Sequence, residues 1–220
     1  MSKKQSANST RISYNFLVLG NQMVGKTSIT ERYTSDRFRA NYLTTIGMDR
    51  KYKRLLINNK DVDVFITDTA GEERFRSLAK NFYKNTDGIL VGFSLTDKNS
   101  FNSIEFWLEQ ISENCDPNKT SLVLFGNKCD DELNIDVKPE EINILKEKHN
   151  LEYFKTSAKE NINVQNMFEY LIKNTIIKKG DLEKIGLNKN STINDIIIKI
   201  KENQSLEPEK RVKHKKKKCC

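Results

Sequence analysis

Apolar and polar positions along the chain alternate between two periods. Short buried-strand runs fall at Tyr14–Leu19, Ile89–Phe93, Leu122–Phe125 and Tyr153–Thr156. Helical spacing follows most of them: from Ser28 to about Tyr33, Ser100–Glu113 with Asn99 or Ser100 as its cap, Pro139–Lys148 with proline in the first turn, and Val164–Ile177. The inner face of the last helix would carry Phe168, Leu171 and Ile172. Between the first helix and the second run lie two strand patterns, Asp49–Ile57 and Val62–Ile66, around Asn58-Asn59-Lys60. That pairing predicts a hairpin and one antiparallel strand. Strands alternating with helices predict an α/β fold, a mostly parallel sheet with helices on both faces, whose ligands sit at the carboxyl ends of the strands.

The globular pattern spans residues 13–178. Residues 1–12 form a polar arm without an apolar core, predicted to be disordered and not a secretory leader. Residues 179–220 form a variable tail. Within it, Ser191–Glu202 fits either a short helix capped by Ser191 or Asn194, or an extended segment docked on the domain or a partner. No run approaches the roughly 18 apolar residues that would span a bilayer.

Charge changes this picture in one place. The formal net charge is +8, yet Lys210, Arg211, Lys213 and Lys215–Lys218 against Glu209 account for six of it. The polycation is a tail, and it contains no aromatic residue to stack on bases, which argues against a nucleic-acid partner. Cys115 and Cys129 lack metal or redox spacing, so the chain reads as reduced.

Candidate chemistry clusters at strand ends. Gly20-Asn21-Gln22-Met23-Val24-Gly25-Lys26-Thr27 lies between a strand and a helix, the context of a phosphate-binding loop. Its glycines allow backbone N–H groups to turn toward a phosphate, the helix N-terminus through Ser28 adds positive potential, Lys26 reaches the β- and γ-phosphates, and the Thr27 hydroxyl suits Mg²⁺. Asp68, opening Asp68-Thr69-Ala70-Gly71, is placed to hold the same ion through water. In Asn127-Lys128-Cys129-Asp130 the Asp130 carboxylate can accept both Watson–Crick N–H groups of guanine, a donor pair adenine lacks. Ser157-Ala158-Lys159 would close over the base, with the Ala158 N–H toward the guanine oxygen.

Together these motifs resemble the small GTPases of the Ras superfamily. Glu73–Leu78, Phe82-Tyr83 and the terminal Cys219-Cys220 are similar to the Rab branch. The resemblance implies a six-stranded sheet, one strand antiparallel, with five flanking helices. It implies that Thr45 binds Mg²⁺ and the γ-phosphate in the GTP state, that Phe38 packs against the guanine, that Tyr42 folds over the phosphates, and that Gly71 bonds the γ-phosphate. It further implies slow GTP hydrolysis involving Lys26, Thr45, Gly71 and residue 72. Cys219 and Cys220 would carry two geranylgeranyl groups, which together with the lysines anchor the chain at an anionic membrane. The implied site is the cytoplasmic face of an endomembrane or the plasma membrane, with a soluble pool. Implied partners are a guanine-nucleotide exchange factor, a GTPase-activating protein, a GDP-dissociation inhibitor, a Rab escort protein, and effectors at the switch face.

Three departures stand out. Glu72 replaces the glutamine that usually orients the attacking water, and a carboxylate cannot donate to the transition state. Gln22 sits where relatives carry small residues and would crowd an incoming arginine finger. Arg50 and Thr67 stand where the Rab effector face usually shows an aromatic and a tryptophan. Two readings follow: a GTP/GDP switch of vesicle traffic that hydrolyses slowly, or a GTP-binding membrane scaffold with little intrinsic hydrolysis.

Overall fold

The computed structural model describes residues 11–39, 48–69 and 83–200. In chain order the elements are β1 (Ile12–Gly20), α1 (Lys26–Ser35), β2 (Met48–Ile57), β3 (Lys60–Thr69), β4 (Gly88–Ser94), α2 (Lys98–Asn102), α3 (Ile104–Asn114), β5 (Ser121–Asn127), α4 (Pro139–His149), β6 (Glu152–Lys155), α5 (Val164–Lys178) and β7 (Ile198–Ile200). The sheet order is β6-β5-β4-β1-β3-β2-β7. Within it β2 alone runs against the common strand direction, antiparallel to both β3 and β7.

The apolar runs explain the central strands. Tyr14, Phe16 and Val18 on one side of β1, and Leu17 and Leu19 on the other, are all buried. They are covered on both faces, as a central parallel strand requires. One core packs the sheet against α1 and α5, whose Val164, Met167, Phe168, Leu171, Ile172 and Ile176 form one stripe. Tyr33 of α1 stacks on Phe168 with centroids 3.9 Å apart. The second core joins Leu17, Leu19, Ile89, Val91 and Phe93 to α3 and α4 through Leu108, Ile111, Ile142 and Leu145.

The hairpin forms where its turn residues predict. Asn58 and Asn59 both take positive φ, 46° and 64°, and Ile57 pairs with Lys60 across the two-residue turn. Asparagine tolerates that backbone, and such a turn twists with the strands it joins.

The sheet has seven strands where six were expected. The seventh comes from the segment whose local pattern admitted both helix and strand. Ile198–Ile200 pairs antiparallel with the edge of β2, Ile57 opposite Ile198 and Leu55 opposite Ile200. The run of isoleucines concealed the alternation: Ile196 is buried and Ile197 is 59 % exposed. Asn58 fastens the segment, donating its N–H to Ile197 O at 3.0 Å and accepting the Ile197 N–H at Oδ1 at 2.7 Å.

The packed structure therefore continues past residue 178. Asp181 accepts a hydrogen bond from the Tyr14 hydroxyl at 3.0 Å, with both groups buried. Leu182, Ile185 and Ile196 join the α1/α5 core. At the other end β1 begins at Ile12, inside the stretch expected to be an arm.

The helix expected at Ser100–Glu113 is two segments. Asp97 opens α2 by accepting the Asn99 N–H at 3.0 Å, so the cap is Asp97. The break falls at Ser103, whose hydroxyl bonds back to Asn99 O at 2.9 Å. Among the described residues, no helix is long and apolar enough to cross a membrane.

Candidate functional site

The loop after β1, the carboxyl end of β5 and the loop after β6 meet around one cleft of about 510 Å³. Met23, Gly25, Thr27, Ser28, Phe38, Asn127, Lys128, Asp130, Ala158 and Lys159 line it. Glu31, Arg39 and Asp131 also line it, which the motifs do not signal.

The loop between β1 and α1 is shaped by two glycines. Gly25 has φ +96°, and a Cβ there would fall 2.3 Å from Asn127 Nδ2. Gly20 has φ +138°, and a Cβ there would meet Gly92 O at 2.2 Å. Any larger residue at either position meets strained backbone and an occupied space together. Val24 is buried, while Gln22 and Met23 are exposed at the rim.

Lys26 is buried and bridges that loop, donating to Gly20 O at 3.0 Å and Asn21 O at 2.8 Å. Burial pushes its ammonium down to about 8, against the opposing pull of Asp68. Thr27 Oγ1 donates to Asp68 Oδ2 at 2.5 Å. Burial raises the Asp68 carboxyl above its usual range, and the Thr27 bond and Lys26 oppose the shift. Asp68 Oδ1 is fully buried without a hydrogen-bond partner among the described residues. A buried orphan carboxylate oxygen beside a hydroxyl fits a hard cation such as Mg²⁺, which takes oxygen ligands.

Farther along the cleft, the Asn127 side chain makes two ties. Its Nδ2 donates to Val24 O at 2.9 Å, and its Oδ1 accepts the Ala158 N–H at 3.2 Å. It therefore couples the loop after β1 to the loop after β6. Ser157 Oγ donates to Asp130 Oδ1 at 2.5 Å, and Lys159 Nζ lies 3.8 Å from Asp130 Oδ2. Lys128 takes φ 67°, and Cys129 N–H bonds Thr156 O at 3.1 Å, turning the loop so that Asp130 enters the cleft.

Two supports escaped the motif reading. Arg32 of α1 donates to Ala158 O at 2.9 Å and Lys159 O at 3.0 Å, holding the loop after β6 from behind. Asn21 donates to Ser103 Oγ at 2.9 Å and accepts from Trp107 Nε1 at 2.9 Å, tying the loop after β1 to α3. These contacts span 82 to 127 positions along the chain, so no local spacing could signal them.

Tyr42, Thr45, Gly71, Glu72, Phe82, the lysine run and Cys219-Cys220 lie outside the described residues.

Comparison with known proteins agrees with this geometry. The Ras family model matches residues 15–177. The chain is 33 % identical over 192 residues to Ras-related protein Rab-13 of Rattus norvegicus, covering 87 % of this chain and 94 % of that one. It is 39 % identical over 159 residues to Ras-related protein Rab-3 of Caenorhabditis elegans, covering 72 % of each. It is 35 % identical over 187 residues to Ras-related protein Rab-3B of Bos taurus, covering 83 % of this chain and 85 % of that one. The cleft built from these loops and a family match over residues 15–177 make one statement: the chain belongs to the Ras family, as a small GTPase of the Rab type.

Proposed function

We propose that this protein is a GTP/GDP switch of membrane traffic that binds guanine nucleotide with Mg²⁺ and hydrolyses GTP slowly. The observation that supports the reading is one cleft lined by Thr27, Asn127 and Asp130, with Lys26 beside Thr27 in the same loop and Asp68 bonded to the Thr27 hydroxyl. Lys26 is already held at the loop that would cradle the β- and γ-phosphates, with its hydrogen bonds to Gly20 and Asn21 fixing its direction. The Ser157 hydroxyl orients Asp130, which leaves its carboxylate to accept both N–H groups of guanine. Asn127 holds the phosphate end and the base end at one fixed separation.

Thr27 and Asp68 would hold Mg²⁺, with Thr45 completing the set in the GTP state. The ion neutralises charge on the phosphates when bound. Thr45 and Gly71 would anchor the two switch segments to the γ-phosphate, so that hydrolysis releases them and changes what partners meet. Cys219 and Cys220 would carry the lipid, and the lysine run would add attraction to anionic headgroups. The partner set follows: an exchange factor, an activating protein, a GDP-dissociation inhibitor, an escort protein and effectors.

Glu72 favours a second reading, a GTP-loaded membrane scaffold. A carboxylate there cannot donate to the transition-state oxygens and faces a phosphate of like charge. Single-turnover GTP hydrolysis of the native chain and Glu72→Gln, each with and without a Rab-type activating protein, separates the two. The switch reading requires measurable, stimulated turnover by the native chain. Turnover by Glu72→Gln alone assigns the scaffold.

A further inference from the structure

The outer face of β1, β3 and β2 carries an aromatic–guanidinium plate outside both cores. Register places Arg50 opposite Thr67, Tyr52 opposite Phe65 and Arg54 opposite Asp63, with Asn15 of β1 beside Phe65. The Arg50 guanidinium lies 4.2 Å above the Phe65 ring and donates to Asn15 Oδ1 at 2.7 Å. The Phe65 and Tyr52 rings are 5.4 Å apart, and the Arg54 guanidinium lies 5.8 Å from the Tyr52 centroid. Asp63 closes the lower end, accepting from Tyr52 Oη at 2.8 Å and Arg54 Nε at 2.9 Å, with Arg11 at 3.8 Å. Phe65 and Tyr52 are only half-buried.

The charges do not balance. Arg11 and Arg54 share the single Asp63 carboxylate, which answers only one of their two charges. Among the described residues no carboxylate ion-pairs with Arg50, which is exposed. The basic residues of the other face of β2 are committed elsewhere: Lys53 lies over the Tyr33 ring and donates to Tyr33 O, and Lys51 pairs with Asp49 and Glu31. Of the two faces of β2, the plate therefore carries the surplus. Arginine, tyrosine and phenylalanine are the side chains that dominate protein interfaces, and these are held in place before any partner arrives. A stacked guanidinium keeps its edge free for a carboxylate in bidentate geometry.

We propose that this plate is the specificity-determining part of the effector face and takes an acidic segment of a protein partner. A partner carboxylate engages Arg50, and an apolar side chain lies against Phe65 and Tyr52. The inference rests on the switch reading above for the timing of the encounter. It adds the chemistry of the partner: Arg50 and Thr67 remove the usual aromatic pair at the end of the sheet nearest the nucleotide, and Tyr52 with Phe65 restores an aromatic surface two residues further along each strand.

The test uses the full chain loaded with a non-hydrolysable GTP analogue, and short random peptides displayed on phage as the probe. Counter-selection on Arg50→Glu/Arg54→Glu, which keeps the lysine tail, removes tail binders. Surviving peptides are expected to be rich in Asp and Glu, and to lose about tenfold in affinity for Arg50→Gln, the loss of one charge-assisted contact. Survivors without acidic excess, survivors that bind Arg50→Gln as well as the native chain, or no survivors would overturn the proposal. Vesicles of phosphatidylserine and phosphatidylcholine give the lipid arm: weaker vesicle binding by Arg50→Gln with unchanged peptide binding assigns the plate to membrane and also overturns it. Guanine-nucleotide affinity, measured alongside, is expected to be equal in native chain and Arg50→Gln. A native chain that does not retain guanine nucleotide defeats the switch reading instead, whatever the peptides do.

Discussion

Ile185 gives the sharpest test of where this domain ends. The family match stops at residue 177, yet the Ile185 side chain is 0 % exposed in the same core as Leu55, Ile57 and Ile176. Ile185→Ala removes three carbons from a filled site, which costs the lost transfer energy and the cavity left behind, about 3 kcal/mol. For a chain of this size each kcal/mol moves the midpoint by roughly 2–4 °C, so the expected shift is roughly 6–12 °C downward. Ile197→Ala supplies the control: that side chain is 59 % exposed, twelve positions along the same segment, and its loss should stay within about 0.5 kcal/mol. Urea unfolding at equilibrium and thermal unfolding both serve, with saturating GDP in every sample because bound ligand adds its own stabilisation. Equal stability of the two variants would refute the reasoning. Residues 181–200 would then be an appendage, and β7 would contribute nothing to the sheet.

Two further outcomes follow. Asn127→Ala leaves Val24 O and the Ala158 N–H without their buried partners. At about 1–3 kcal/mol for each unsatisfied group, release of fluorescent GDP should accelerate by about a hundredfold, read by stopped flow. Glu105→Gln tests the surface bridge between α3 and α4, where Lys148 and then His149 hold the Glu105 carboxyl below its usual range. A depressed carboxylate stabilises the fold above its unfolded value, and the benefit disappears as pH falls through the folded one. Glu105 is half exposed, so the variant should lose at most about 0.5 kcal/mol at pH 7, with the gap to native closing as pH falls below the usual carboxylate range in urea titrations.

Much of the site was legible because its chemistry is local. Gly20 to Thr27 lies in one loop, Asp68 ends a strand, and Asn127 to Asp130 follows another, so motif and strand pattern point to the same pole of the sheet. The sequence reading stopped where the cause is distant. Arg32 supports Ala158 from 126 positions away, and Trp107 supports Asn21 from 86. Neither residue departs from what a helix face ordinarily carries. The cap of α2 was misplaced for a different reason: Asp97, Asn99 and Ser100 are all good caps, and the short side-chain bond from Asp97 to Asn99 N–H decides among them. The seventh strand needed its neighbour. A three-residue strand has too little periodicity to announce itself, and only the open edge of β2 and the Asn58 side chain give it a place.

The guanine recognition proposed for Asp130 is measured most directly by nucleotide exchange with a swapped base. The native chain should bind GDP in preference to ADP and xanthosine diphosphate. Asp130→Asn should lose GDP and gain xanthosine diphosphate, because an amide replaces one acceptor with a donor and xanthine replaces one donor with an acceptor. Equal binding of ADP and GDP by the native chain, or an Asp130→Asn variant that keeps its preference for guanine, would contradict it.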